Sequence, residues 1–148
     1  MKKLLFALPL LLISCQPAFA LDWDVIAKIE SSGNWQAVGD NGKSFGLWQI
    51  NEKTITDYNR NGLKSGRKAV LSYDLISGDK RLSLGKQEAV KAFKSENDKM
   101  TLKRLGFPIT DENLIVCWNA GCGALKYKKG IPKSTQAYIK KYNILKNK

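Results

Sequence analysis

Apolar residues recur at helical spacing along nearly the whole chain, and Gly, Pro and Asn clusters cut that pattern into short pieces. Such a chain folds as a bundle of short helices. Asp22 to Ser32 carries Val25, Ile26 and Ile29, with Asp22 or Asp24 suited to its first turn. Gly33 to Ser44 is loop, and Asp40-Asn41-Gly42 suits the tip of a small β-hairpin near residues 38–46. Helical pattern resumes from Gly46 to about Tyr58, from Arg67 to Ile76, and from Lys86 to Leu105, where Gly106 and Pro108 end it. Thr110 or Asp111 caps a run through Leu114, Ile115, Val116 and Trp118 that stops near Gly121. Pro132 and Ser134 open a final helix carrying Tyr138, Ile139, Tyr142 and Leu145. The expected fold class is mostly α, in one domain without repeats or linkers.

The first twenty residues stand apart from this pattern. Met1-Lys2-Lys3 is a short positive region, Leu4 to Ile13 is almost wholly apolar, and Ala18-Phe19-Ala20 is a small-x-small cleavage signal. The apolar run is too short for a permanent membrane span. The reading is a signal peptide over 1–20 and a domain over 21–148, exported to the periplasm or secreted. Leu12-Ile13-Ser14-Cys15 also resembles a bacterial lipoprotein box, in which Cys15 is acylated. The alternative is therefore a membrane-anchored lipoprotein.

Export governs what the cysteines and the charge mean. Ordinary cleavage leaves Cys117 and Cys122, a pair that an oxidising compartment can join; a buried free thiol at Cys117 is the other reading. The chain has no His, and two thiols do not complete a zinc site, so neither metal nor cofactor is expected. Net charge is +12, falling to +10 once Lys2 and Lys3 leave. A field of that sign draws polyanions. Nucleic acid is the generic partner, but an exported chain does not meet it; peptidoglycan, with its peptide carboxylates, is available. Many lysines, including Lys126, Lys128, Lys129, Lys140 and Lys141, also read as a solvated face.

The informative chemistry lies in Glu30. It closes the apolar run Ile26-Ala27-Lys28-Ile29, and Ser44-Phe45-Gly46-Leu47-Trp48-Gln49-Ile50 follows after a loop. One acid at the lip of a groove, facing neutral hydrogen-bonding groups, suits delivery of a proton to a glycosidic oxygen. Glu30-Ser31-Ser32-Gly33-Asn34, Ser44-Phe45-Gly46-Leu47-Trp48-Gln49-Ile50, Cys117-Trp118-Asn119-Ala120-Gly121 and Thr135-Gln136-Ala137-Tyr138-Ile139 resemble, in order, four motifs of the lytic transglycosylase family. The family forms of these are Glu-Ser, Gly-Leu-Met-Gln, Ala-Tyr-Asn-Ala-Gly and Thr-x-x-Tyr-Val.

That resemblance implies a lysozyme-like fold with a substrate groove beside Glu30. It implies cleavage of the bond between N-acetylmuramic acid and N-acetylglucosamine, with Glu30 as catalytic acid and then base. The muramic C6 hydroxyl attacks C1 and leaves 1,6-anhydro ends. Ser44 and Gln49 match substrate-contacting residues, and Trp48, Trp118, Asn119 and Tyr138 join them as expected substrate-binding positions. The chain departs from the family at Trp118, where Tyr is usual, and at Trp48, where Met is usual and where an aromatic either stacks on a sugar ring or belongs to the core. Indole donates but cannot accept a hydrogen bond, so Tyr138 is the expected support for the acid. Gly39 to Gln49 also resembles a stretch of goose-type lysozymes, which makes Asp40 either a turn former or a second carboxylate for a hydrolase. A non-catalytic, cationic wall-binding protein is the remaining alternative. Wall turnover, passage of a secretion or conjugation apparatus, and phage entry are all served by such a domain.

Overall fold

The computed structural model describes residues 21–64, 66–127 and 130–148. The expected signal peptide, Cys15, Lys128 and Lys129 lie outside them. Five α-helices and one small sheet make up the described residues: α1 (Trp23–Ser31), α2 (Glu52–Leu63), α3 (Lys80–Leu105), α4 (Asp111–Ala120) and α5 (Lys133–Lys146). Two single 3₁₀ turns, Tyr73–Leu75 and Cys122–Lys126, complete them. Among the described residues, no helix is long and apolar enough to cross a membrane.

Helix ends follow their capping residues. The Asp22 carboxylate accepts from the N–H groups of Asp24 and Val25, each at 3.1 Å, and starts α1. Ser32, in a left-handed conformation, ends it. Thr110 caps α4 through the Asn113 N–H at 3.2 Å, and Gly106 closes α3 at φ +78°.

Three sequence expectations need correction. The second helix begins at Glu52, not Gly46. Gly46 and Gln49 both take left-handed φ, at 78° and 46°, which a helix does not admit, and Ile50–Asn51 is a strand. Asn51 then caps α2 by accepting from the Thr54 N–H at 2.9 Å. Arg67 to Ile76 is not an α-helix. The Asn59 amide takes both the N–H and the carbonyl of Val70, each at 2.8 Å, so neither is left for a helical bond. The third long helix starts at Lys80 rather than Lys86, because Asp79 caps it through the Leu82 N–H at 3.0 Å.

The sheet is small and antiparallel: β1 (Val38–Gly39), β2 (Ser44–Phe45) and β3 (Ile50–Asn51), in that order. Val38 pairs with Phe45 and Gly39 with Ser44, so Asp40 to Lys43 form the hairpin loop. Asp40 and Asn41 both have positive φ, as the tight turn demands, and the Gly42 N–H closes it on the Gly39 carbonyl at 3.0 Å.

One core joins these parts. Ile26, Ile50, Leu75, Val90, Leu102, Ile115 and Tyr142 are essentially inaccessible and come from the sheet and every layer around it. The Tyr142 hydroxyl accepts from the Asp22 N–H at 2.9 Å and lies 3.5 Å from the Asp111 carboxylate. It thereby ties the last helix to the starts of α1 and α4. α5 packs on both of those helices, which brings the end of the chain to Glu30.

Candidate active site

Glu30 occupies the last turn of α1, half-buried. The next residue fixes where that turn sits. The Ser31 hydroxyl lies 3.1 Å from the Ala27 carbonyl and 2.9 Å from the Leu47 carbonyl, so it fastens the helix end to the turn before β3. Ser31 is thus a structural tie.

Two donors meet the Glu30 carboxyl. Tyr138 of α5 donates its hydroxyl to Oε1 at 2.8 Å, and the Trp118 side chain of α4 hydrogen-bonds it as well. Burial pushes the Glu30 pKa above the ordinary carboxylate value. The negative charge of Asp40 pushes the same way, while Tyr138, Trp118 and Lys141 pull back. Burial and the neighbouring Glu30 charge raise the Tyr138 phenol far above its usual value, so it remains a donor at working pH.

A cleft of about 120 Å³ opens beside this carboxyl. Glu30, Asp40, Ser44, Gln49, Trp118 and Asn119 line it, so six of the residues expected from sequence meet at one place. Ser44 is buried and donates to the Asp40 carboxylate at 2.6 Å. Gln49 donates its amide to the carbonyls of Ala37 (3.3 Å) and Gly46 (3.0 Å). Gly39 makes room for it: a Cβ there would stand 2.1 Å from the Gln49 Oε1. Asn119 accepts from the buried Thr135 hydroxyl at 2.7 Å. Tyr138 reaches the cleft through Glu30. Thr135 and Tyr138, from one short motif on α5, therefore brace two different walls of the site.

Trp48 does not reach the cleft. It is 6% exposed, its indole N–H donates to the Trp23 carbonyl at 2.9 Å, and Trp23 packs edge-on against it. Of the two readings of Trp48, sugar stacking and core, the structure has the second: the side chain belongs to the core cluster and does not line the cleft.

Sequence reasoning missed three contributors. Gln87, fully buried on α3, accepts from the Leu47 N–H at 2.8 Å and donates to the carbonyls of Trp35 and Leu75, at 2.9 and 2.6 Å. A Cβ on Gly46 would lie 2.2 Å from its Oε1. The sequence carries no clear signal for Gln87, because the helix is rich in polar and charged residues among which one amide does not stand out. Lys94 lines the cleft, pairs with Asp98 at 2.7 Å and sits 5.0 Å above the Trp118 ring. Its signal was the i, i+4 spacing of opposite charges. Thr54 lines the cleft from α2.

Cys117 and Cys122 are joined as a disulfide that brackets Trp118 and Asn119. Asp98 lies close to both sulfurs, but bonded to each other they offer no thiolate to a metal.

A family model described as the transglycosylase SLT domain matches residues 23–141. The chain belongs to this family. The match runs from the first turn of α1 into α5, so it takes in every element that builds the cleft. No curated protein and no solved structure matches the chain. Membership makes it an enzyme of the lytic transglycosylase type, acting on peptidoglycan glycan strands and hence outside the cytoplasm. The mostly helical architecture with its three-stranded sheet is the lysozyme-like fold of SLT domains.

Proposed function

We propose that Glu30 of this SLT domain cleaves the β-1,4 bond between N-acetylmuramic acid and N-acetylglucosamine without consuming water. The surroundings of Glu30 carry the reading: a half-buried carboxyl at the cleft wall, held by the phenol of Tyr138, with its pKa raised by burial. A raised pKa keeps the proton available near neutrality. Glu30 gives it to the glycosidic oxygen as that bond breaks. The resulting carboxylate then takes the proton of the muramic C6 hydroxyl, whose oxygen bonds to C1. The protein ends in its starting state and the product end is 1,6-anhydromuramoyl. The C6 hydroxyl is already part of the substrate, so proximity favours it over a water that must be held. Gln49, Ser44 and Asn119 orient the sugars, and Tyr138 and Trp118 stabilise the carboxylate between the two proton transfers.

One observation favours hydrolysis instead. Asp40 lines the same cleft and its charge acts on Glu30. A base there needs a separation of roughly 6.5–9.5 Å to admit water. Asp40 is also a turn residue at φ 50° whose carboxylate is engaged by Ser44, and that supports a positioning role. Mass spectrometry of digested peptidoglycan decides. Anhydro ends, with Asp40→Asn retaining most activity, are expected. Reducing muramic ends, together with an inactive Asp40→Asn, would reject the transglycosylase reading in favour of a lysozyme.

We further propose that residues 1–20 direct export and that the mature domain spans 21–148. The N-terminal mass of the secreted protein checks this, since acylation at Cys15 gives a heavier chain that begins at Cys15, six residues before Leu21.

A further inference from the structure

The second donor to Glu30 needs a support that its own helix does not supply. Trp118 hydrogen-bonds Glu30 from the last turn of α4, which ends at Ala120, and Gly121 then turns away at φ +81°. An indole carries one donor and no acceptor, so the plane of the ring decides whether its N–H meets the carboxyl. Trp118 also lines the cleft and is half-buried. The ring is met by Lys94 of α3 and Trp23 of α1.

Three indoles and two ammonium groups assemble here. The rings of Trp23 and Trp118 lie 5.0 Å apart, edge to face, and Trp48 meets Trp23 at 6.5 Å. Lys91 and Lys94 sit one turn apart on α3. Lys91 Nζ is 4.2 Å from the centre of the Trp48 ring and 4.9 Å from that of Trp23, and Lys94 Nζ is 5.0 Å from that of Trp118. The two lysine side chains are 7% and 16% exposed, unlike those of a solvated helix face, and attraction between a cation and an aromatic ring grows as water is excluded. Lys94 also holds the chain around Trp118. It donates to the Cys117 carbonyl at 3.3 Å, just before Trp118, and to Asp98 at 2.7 Å. The Asp98 carboxylate lies 3.9 Å from Cys122 Sγ, and the disulfide leads from there back to Cys117. The ring, the carbonyl before it and the bridged turn after it therefore meet at one point on α3.

Resting on the role given to Glu30 above, we propose that Lys94 is a positioning residue for the cleavage: its ammonium, pinned by Asp98 and the Cys117 carbonyl, fixes the Trp118 ring so that the indole N–H meets the Glu30 carboxylate. Lys91 steadies Trp23, the ring on which Trp118 packs. Asp40 from the hairpin and Lys141 from α5 act on Glu30 by charge, and Tyr138 by its hydroxyl. Lys94 acts through the indole.

Lys94→Met/Asp98→Asn removes the cation without changing the net charge or leaving Asp98 alone. On soluble glycan strands its kcat is expected to fall about tenfold with KM unchanged. The alkaline limb of the pH profile moves up, because donation from Trp118 lowers the Glu30 pKa. Trp118→Phe keeps a ring, loses the N–H and shows the same two effects. Joining the two changes costs no more than Trp118→Phe alone, since both act through one bond. Lys94→Arg keeps the cation and its pair, recovers most of kcat and returns the limb. A loss in KM rather than kcat would make Lys94 a substrate contact. An unmoved limb, or losses that add fully to those of Trp118→Phe, would leave it a structural ion pair. Each of these overturns the proposal. If the double variant does not fold, Lys94→Gln, which keeps a donor for Asp98 and drops the charge, reads the same shift. NMR of the Trp118 indole N–H needs no cleavage. Its signal should follow the Glu30 titration in the wild type, not in Glu30→Gln, and at most half as far in the Lys94 variant; an undiminished movement there overturns the role of Lys94. Cleavage that persists in Glu30→Gln would overturn the chemistry instead, and the indole signal would still report what holds Trp118.

Discussion

Tyr138→Phe removes one hydroxyl and tests the centre of the catalytic argument. In the folded protein that hydroxyl donates to Glu30 Oε1 at 2.8 Å in a half-buried setting. A hydrogen bond to a charged acceptor contributes about 1.5–3 kcal/mol. The bond matters most after Glu30 has given up its proton, because the carboxylate is then an anion in a poorly solvated place. Losing it raises the barrier by that amount, and at about 1.4 kcal/mol per tenfold the rate falls roughly 10- to 150-fold. The same loss disfavours the anion at equilibrium, so the Glu30 pKa rises further and the alkaline limb of the activity profile moves to higher pH. Release of soluble muropeptides from purified walls, followed across pH, reads both effects, and thermal unfolding confirms that the variant is folded. A Tyr138→Phe protein with wild-type kcat/KM and an unmoved alkaline limb would refute the reasoning, since Tyr138 would then be no more than a buried aromatic.

Glu30→Gln should lower wall cleavage at least ~10²-fold while leaving the fold intact. Because burial raises the Glu30 pKa, the folded chain binds a proton that the unfolded chain releases above its value near 4.5. Wild-type stability therefore declines as pH rises from there through the folded pKa, and Glu30→Gln should be the more stable protein at neutral pH but not at pH 4; equal melting temperatures at pH 7 would contradict this. Gly46→Ala drives a Cβ to 2.2 Å from Gln87 Oε1 at φ +78°, and urea unfolding should show a loss of at least ~2 kcal/mol from left-handed strain and disrupted buried hydrogen bonds. Sedimentation with cell walls should weaken as salt rises, since exposed charges are screened beyond about 8 Å at physiological ionic strength. Binding that ignores salt would remove the role given to the net charge of +12.

Where side chains cap their own neighbours, the fold could be read from sequence. Asp22, Thr110 and Gly106 act within a few residues of themselves, and α1, α4 and the end of α3 fell where their signals lie. The turn at Asp40-Asn41-Gly42 is likewise local. The errors arose where distant groups override spacing. Leu47, Trp48 and Ile50 look helical, but Gln87, forty positions away, claims the Leu47 N–H and bends the chain at Gly46. Asn59 does the same to Val70. Gly85 hid the first turns of α3, whose start rests on Asp79. At the cleft, the motif residues Glu30, Ser44, Gln49 and Asn119 lie together as their shared resemblance implied. Lys94 and Gln87 were not legible, because their placement depends on which face of a long helix is buried.

The three bonds of Gln87 bear on how this domain comes apart. Strands of two residues have no independent stability, so the hairpin and the turn beside Glu30 stand only while something outside them holds. Beside the Ser31 tie, that support is one amide near the start of α3, which reaches the loop at Trp35, the turn at Leu47 and the 3₁₀ turn at Leu75 together. Opening any of the three leaves a buried polar group without its partner, a cost of about 1–3 kcal/mol each. The cleft therefore opens with the helix core and not ahead of it. Although it is built largely from turns, its amides are expected to exchange as slowly as those of the helix core, and hydrogen exchange at Leu47 and Trp35 checks this.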